Sequence, residues 1–283
     1  MSGSVAGGIL LALGSAATLN WGYFVQHAAA TAMPPLVLRH PLRSLGVLLR
    51  DVRWMVGFVT GIGGWGLYVA ALLLAPLSIV QATSAGGIAV LAALVGNLAR
   101  REQVAVFVSV AGLVLLGLSL IRTHAPTGHG SWSSVALWMG ISIGVAAIAA
   151  GPASAVLAGG AGLGIAAGVL YASGDVGTKA ALAGGTRLGF VPPLLACHGL
   201  AFVCMQLGFQ RGGALATAGM ATLWTNALPI AAGSFLFSEA PPGGFRGAAR
   251  VAAFACVVIG AAALARREPV EAPAPVPLQP RID

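Results

Sequence analysis

Charge is the scarcest property of this chain. Asp, Glu, Lys and Arg make up 8% of its 283 residues, against ~25% in an ordinary soluble domain. A charged side chain at the middle of a bilayer costs on the order of 2.5–3.5 kcal/mol on insertion scales. Such avoidance of charge excludes a soluble globular domain and points to a chain that crosses a membrane several times. Cysteine is also rare. Cys197, Cys204 and Cys256 all fall in apolar stretches without metal-ligand spacing, which argues against a zinc site and leaves them as small core hydrophobes. No His-Glu-x-x-His helix occurs, and the acidic residues inside apolar stretches are too few for metal-assisted chemistry. The expectation is therefore no enzyme and no cofactor. The N-terminus lacks the Lys or Arg of a signal peptide, so residues 1–29 are expected to remain as a first span. The formal charge of +8 does not call for a nucleic acid. The arginines lie between apolar stretches, where the positive-inside rule accounts for them.

Apolar length is what the chain has in abundance. Hydrophobic residues are 58% of the total, and 41 residues are glycine. Crossing the hydrocarbon core takes ~20 apolar residues. The sequence predicts spans near residues 5–29, 54–74, 79–98, 104–121, 132–150, 155–182, 188–209, 213–237 and 248–264. Residues 31–52 carry Arg39, His40, Arg43, Arg50 and Asp51 between leucines at near-helical spacing. This segment is expected to lie in the interface as an amphipathic piece. The alternative is that residues 34–49 cross as a short tenth span. The expected fold is an all-α polytopic membrane bundle of nine, or else ten, transmembrane helices.

A repeat organises the spans. Residues 53–102 read as span, break, span and terminal glutamate, and the layout recurs at a shift of 239 − 102 = 137 positions. At that shift Gly96 meets Gly233 and Leu91 meets Leu228. With nine spans, Arg39, Arg43, Arg50, Arg53, Arg100, Arg101, Arg211, Arg266 and Arg267 share one side, and Arg122, Arg187, Arg246 and Arg250 the other with Lys179 near its edge; the richer side is expected to be cytoplasmic. The two units then run in opposite directions, as an inverted structural repeat. Residues 1–121 form the first half with the amphipathic segment 31–52, and 132–265 form the second. Residues 266–283 form a Pro-rich tail, expected to be disordered and cytoplasmic. The expected location is the plasma (inner) membrane. The steps Gly57/Gly61, Gly140/Gly144, Gly160/Gly164 and Gly164/Gly168 are candidates for close helix packing.

Polar residues inside spans are candidate site residues, because their burial in lipid is costly. Asp175 and Lys179 stand at i and i+4 on one face, with Tyr171 one turn earlier. They are the candidate coupling pair, with Asp175 taking a proton or cation and Lys179 as counter-charge. The bland alternative is an interface anchor with Lys179 snorkelling. Asn20, Tyr23 and His27 share a face of the first span, with Gln26 beside them. Ser78, Gln81 and Ser84 stripe the start of the third predicted span behind Pro76, a residue suited to a first helical turn. His198, Gln206, Trp224 and Asn226 are the candidates in the second half, Asn226 standing three residues before a helix-kinking Pro229. The candidate substrate-binding set is Asn20, Tyr23, His27, Gln81, Ser84, Tyr171, Asp175, Lys179, His198, Trp224 and Asn226. No metal ligands are assigned. His124 and His129 share a polar loop without a carboxylate beside them.

Several of these stretches carry a family likeness. Ala75-Pro76-Leu77-Ser78-Ile79-Val80-Gln81 followed by Arg101-Glu102 resembles the drug/metabolite transporter (EamA-like) superfamily. Gly174-Asp175-Val176-Gly177-Thr178-Lys179-Ala180 and Phe235-Leu236-Phe237-Ser238-Glu239 resemble motifs of its NIPA-type magnesium transporter branch. The resemblance implies alternating access in a helical bundle and a small metabolite or drug-like solute. The NIPA branch adds Mg²⁺ as the alternative cargo, although a single well-embedded carboxylate is a thin ligand set for it. A non-transporting structural membrane protein is the third reading. Expected partners are the lipid bilayer and a small solute or cation, with a homodimer left open.

Overall fold

Apolar segments form helices here because lipid offers no partner for a backbone N–H or C=O, and a helix satisfies both internally. The structure is a computed structural model that describes residues 3–36, 41–75, 77–84, 86–120, 130–181, 183–236 and 244–265. All regular structure among them is helical. The order is α1 (Gly3–Ala30), α2 (Pro41–Arg50), α3 (Val52–Leu74), α4 (Leu77–Ser84), α5 (Gly87–Val95), α6 (Arg100–Leu120), α7 (Trp132–Ala150), α8 (Ala161–Ala181), α9 (Val191–Arg211), α10 (Met220–Leu236) and α11 (Phe245–Ala265). Short 3-10 segments cover Pro152–Ala155 and Gly185–Phe190, and a π-helical turn covers Leu215–Gly219 just before α10. Among the described residues five segments are long and apolar enough to cross a bilayer: Val5–Ala30, Val52–Ala71, Trp132–Ala155, Gly185–Arg211 and Gly247–Leu264. The protein is thus a multi-pass helical membrane protein.

Helix starts follow local chemistry. Asp51 caps α3, its Oδ1 accepting from Trp54 N at 2.8 Å, and Ser131 caps α7, its Oγ accepting from Ser134 N at 3.0 Å. Glu102 in the first turn of α6 accepts from Ala99 N at 3.0 Å, which gives it a local structural role. Its expected counterpart Glu239 lies outside the described residues, as do His124, His129 and the tail 266–283.

Two expected spans are irregular. Residues 79–98 are not one helix but two, α4 and α5, separated around Gly86 and Gly87. Successive glycines supply no side-chain contact to hold a helix together at that point. Residues 213–237 open with the π-turn before continuing as α10. The amphipathic segment contains the ten-residue α2, which rises only ~15 Å, half the thickness of the hydrocarbon core. Its Leu42, Leu45 and Leu49 face outward, while Leu48 packs beside Trp54.

Packing is closest where side chains are smallest. α1 lies along α3 over most of its length. A Cβ at Gly22 would stand 2.8 Å from Gly57 O, and one at Gly57 would stand 2.8 Å from Gly22 O, so only paired glycines allow this approach. α8 is buried almost end to end among α7, α9 and α10, with Gly164 and Gly168 against Thr217 and Ala221. Gly140 and Gly144 behave otherwise. Nothing lies within 4 Å of where their Cβ atoms would be, so this expected packing step faces away from the neighbouring helices. The main core joins both parts of the chain, bringing Ile88 and Leu91 together with Met205, Phe209, Leu215 and Leu223.

Candidate functional site

Asp175 lies on α8 where four helices converge. Gln81 of α4 donates from Nε2 to the Tyr68 hydroxyl of α3 at 2.8 Å and reaches Asp175 Oδ2 at 3.4 Å. His198 of α9 places Nε2 3.7 Å from Asp175 Oδ1. Its Nδ1 lies 2.9 Å from Leu194 O, and a carbonyl only accepts, so Nδ1 carries a hydrogen. At that separation Nε2 and the carboxylate form an ion pair when the ring is protonated. The side chains of His198 and Asp175 keep 24% and 11% of their exposure, so neither is sealed.

The backbone of α8 makes room for this arrangement. A Cβ on Gly174 would overlap the His198 ring. Tyr171, one turn before Asp175, meets that ring edge-on with centroids 5.7 Å apart. The chain has three tyrosines, and all of them (Tyr23, Tyr68 and Tyr171) lie within electrostatic reach of the Asp175 carboxylate. The carboxylate itself meets an amide and an imidazole, with the Tyr68 phenol bonded to that same amide. Lys179 is half-buried one turn further along α8.

Three other expected site residues carry buried polar atoms without a hydrogen-bond partner in the protein: Asn20 Oδ1, Ser84 Oγ and Trp224 Nε1. The Asn20 amide nitrogen is spent on Ala16 O at 2.8 Å. An unpaired buried donor or acceptor costs ~1–3 kcal/mol, which a polar solute bonding there would recover. Asn226 instead folds its amide back on α10, donating to Thr222 O at 2.7 Å. His27 is hydrogen-bonded through Nε2 to Gly212 O at 3.1 Å and lies edge-on to Phe209.

That last contact belongs to a second polar network, where the C-terminal parts of α1 and α9 meet. Gln206 Nε2 donates to Gln26 Oε1 at 2.7 Å, and Trp54 Nε1 donates to Gln206 Oε1 at 2.8 Å. Gln210 donates to Ala30 O at 3.2 Å and Pro34 O at 3.0 Å, and its Oε1 accepts from Leu36 N at 2.8 Å.

Sequence reading missed Tyr68 as a site residue. The available signal was that it is one of three tyrosines and stands within an otherwise apolar stretch. A Gly-x-Ser-x-Gly spacing also occurs, at residues 140–144. It lies inside α7 rather than on a strand-to-helix turn, and Ser142 is buried, so it lacks the geometry of a nucleophile elbow.

One comparison bears on the site. The chain is similar to the probable magnesium transporter NIPA9 of Arabidopsis thaliana. Identity is 33% over 114 residues, covering 39% of this chain and 32% of that protein. The match thus spans about a third of the relative's length. No protein-family model matches the chain, and no solved structure is significantly similar to it. Among the described residues no group of three or more His, Cys, Asp and Glu side chains is arranged to hold a metal ion.

Proposed function

We propose that this protein is a secondary transporter that moves a small solute by alternating access, with the solute bound beside Asp175. The observation that carries the proposal is the Gln81–Asp175–His198 contact. It joins α4 from the first half of the chain to α8 and α9 from the second, around one embedded carboxylate. A group held between two halves is where rocking of one against the other is felt. The unpaired atoms of Asn20, Ser84 and Trp224 supply further solute contacts. Asp175 and Lys179 form the coupling pair, and no catalytic role is assigned to the cluster.

The proposal includes nine spans, with α4 and α5 counted as one, the π-turn and α10 as one, and α2 in the interface. It also includes an inverted repeat. What supports the repeat is a matched set of neighbours: α1 lies on α3 as α8 lies on α9, α4 meets α10 as α5 meets the π-turn, and α6 lies on α11. The superfamily assignment to drug/metabolite transporters, an inner-membrane location and a cytoplasmic tail belong to the same proposal.

Mg²⁺ is the second reading, favoured by the NIPA9 similarity. Mg²⁺ takes oxygen ligands and keeps several waters. Asp175, the Gln81 amide and the Tyr68 hydroxyl offer oxygens, but with one carboxylate among them. Purified protein in sealed vesicles, screened with small metabolites and with Mg²⁺ against an imposed proton gradient, tests both readings. Asp175→Asn keeps the shape and removes the charge. It should abolish gradient-driven uptake in a folded protein, and uptake at the parental rate would sink the role of Asp175.

A further inference from the structure

Two polar side chains face the Asp175 carboxylate, and both stop short of it. Gln81 Nε2 lies 3.4 Å from Oδ2 and His198 Nε2 lies 3.7 Å from Oδ1, whereas an N–H···O bond of ordinary strength spans ~2.7–3.2 Å. Each is held at bond length by another group instead. His198 Nδ1 meets Leu194 O at 2.9 Å, and Gln81 Nε2 donates to the Tyr68 hydroxyl at 2.8 Å. The second tether runs against charge. A hydrogen bond to a carboxylate is roughly twice as strong as one to a neutral oxygen, yet the Gln81 amide lies closer to the phenol. Packing decides this. Tyr68 is buried on α3 in a cluster with Ala12, Ala71, Ala75 and Val80, and Gln81 is buried beside it. Turned end for end, the amide would set its carbonyl oxygen against the carboxylate, two acceptors face to face.

We propose that Tyr68 is a positioning residue that holds the Gln81 amide back from Asp175 and so leaves Oδ2 open to a bound solute or a proton. Tyr68 acts only through Gln81. Without the phenol oxygen, the freed N–H closes on the carboxylate and holds it in its charged form. It then competes with whatever binds there. The consequence for transport rests on the reading of Asp175 as the solute-binding group, while the tether itself does not. The other titratable groups around Asp175 are His198 of α9, Tyr171 and Lys179 of α8 itself, and Tyr23 of α1. All of them stay in place in the test.

Full-length protein in detergent, treated with the apolar reagent dicyclohexylcarbodiimide, provides the test, since that reagent adds to carboxyls in their protonated form. Modification of Asp175 is counted by mass spectrometry of its peptide, with Asp175→Asn as the blank and a thermal melt of each variant beside it. Tyr68→Phe should slow labelling of Asp175 at least about threefold at a fixed pH and move the pH profile of labelling toward acid. In a Gln81→Met background the same Tyr68→Phe change should have no effect, because the group it restrains is gone. Gln81→Met alone should label at least as fast as the parent, and this arm decides the matter if Tyr68→Phe does not fold. Equal slowing by Tyr68→Phe with and without Gln81 overturns the proposal and leaves Tyr68 a packing role. Unchanged or faster labelling of a folded Tyr68→Phe protein overturns it too, as does slower labelling of Gln81→Met or an Asp175 that resists the reagent in the parent. Uptake plays no part in this measurement. If Asp175→Asn transports at the parental rate while labelling behaves as expected, the transport role falls and the tether stands.

Discussion

Gln206 of α9 and Gln26 of α1 are joined by a 2.7 Å hydrogen bond in a buried setting, and the other end of the Gln206 amide accepts from Trp54 of α3. One amide thereby ties three helices at the end of the bundle where α1 and α9 finish. Under alternating access, this network is a latch that must open when that end opens. Gln206→Leu would leave the Gln26 oxygen and the Trp54 N–H without their partner, at ~1–3 kcal/mol for each buried group. The expected outcome is a lower melting temperature and faster thiol labelling of a cysteine placed at the buried Ala30. A Gln206→Leu protein with parental stability and parental labelling would remove the latch.

His198 and Lys179 make separable predictions about the coupling site. His198→Ala takes away the ring that faces the Asp175 carboxylate at 3.7 Å, and the initial transport rate should fall at least tenfold, about 1.4 kcal/mol in barrier terms. If Lys179 is the counter-charge, Lys179→Met should slow transport as much as Asp175→Asn does. If it only anchors α8 at the interface, the loss should be small. Rates in reconstituted vesicles, beside a melt of each variant, separate the two roles.

Gly174 is required by the His198 ring. Gly174→Ala introduces a Cβ that overlaps that ring, and overpacking of this kind costs ~1–3 kcal/mol. The melting temperature should fall. Gly199→Ala, which meets nothing within 4 Å, is the control and should leave it in place. Equal behaviour of the two variants would show that α9 shifts freely against α8.

The proposed topology puts Arg100 inside and Thr127 outside. With Cys197, Cys204 and Cys256 replaced by Ala, a single cysteine at 127 should react with an impermeant thiol reagent in intact cells. One at 100 should react only after the membrane is opened. Outside labelling at 100 would reverse the orientation and with it the positive-inside assignment.

Much of the helical layout was legible because hydropathy and length are local properties. α1, α3, α7 and α9 appear close to where apolar length placed them. The break at Gly86 and Gly87 was not legible, since glycine is common throughout this chain and most of its glycines sit inside helices. Gly140 and Gly144 illustrate the same limit: spacing gives a face, but only tertiary structure says whether another helix covers it. At the site, Asp175 stood out by the cost of its charge. Its approach to Gln81 and His198 depends on contacts 94 and 23 residues apart along the chain, which periodicity does not encode. Tyr68 was hidden because a tyrosine in an apolar stretch is ordinary until its hydroxyl finds a partner.

The interruption between α4 and α5 bears on how the chain enters the bilayer. With eight and nine residues, these helices rise only ~12 and ~14 Å, and neither covers the hydrocarbon alone. Gly86 bridges the break, donating to Thr83 O at 3.2 Å and accepting from Ala89 N at 3.0 Å, and lipid satisfies none of the remaining end groups. Both pieces pack on α1, so the pair should insert stably only against a helix that was synthesised earlier. Biogenesis then has an order: α1 and α3 enter first, and α4 with α5 settles onto them. A chain lacking residues 1–30 should still insert α3, while its 77–95 segment becomes open to protease during synthesis. Full protection of that segment would show that it inserts without α1.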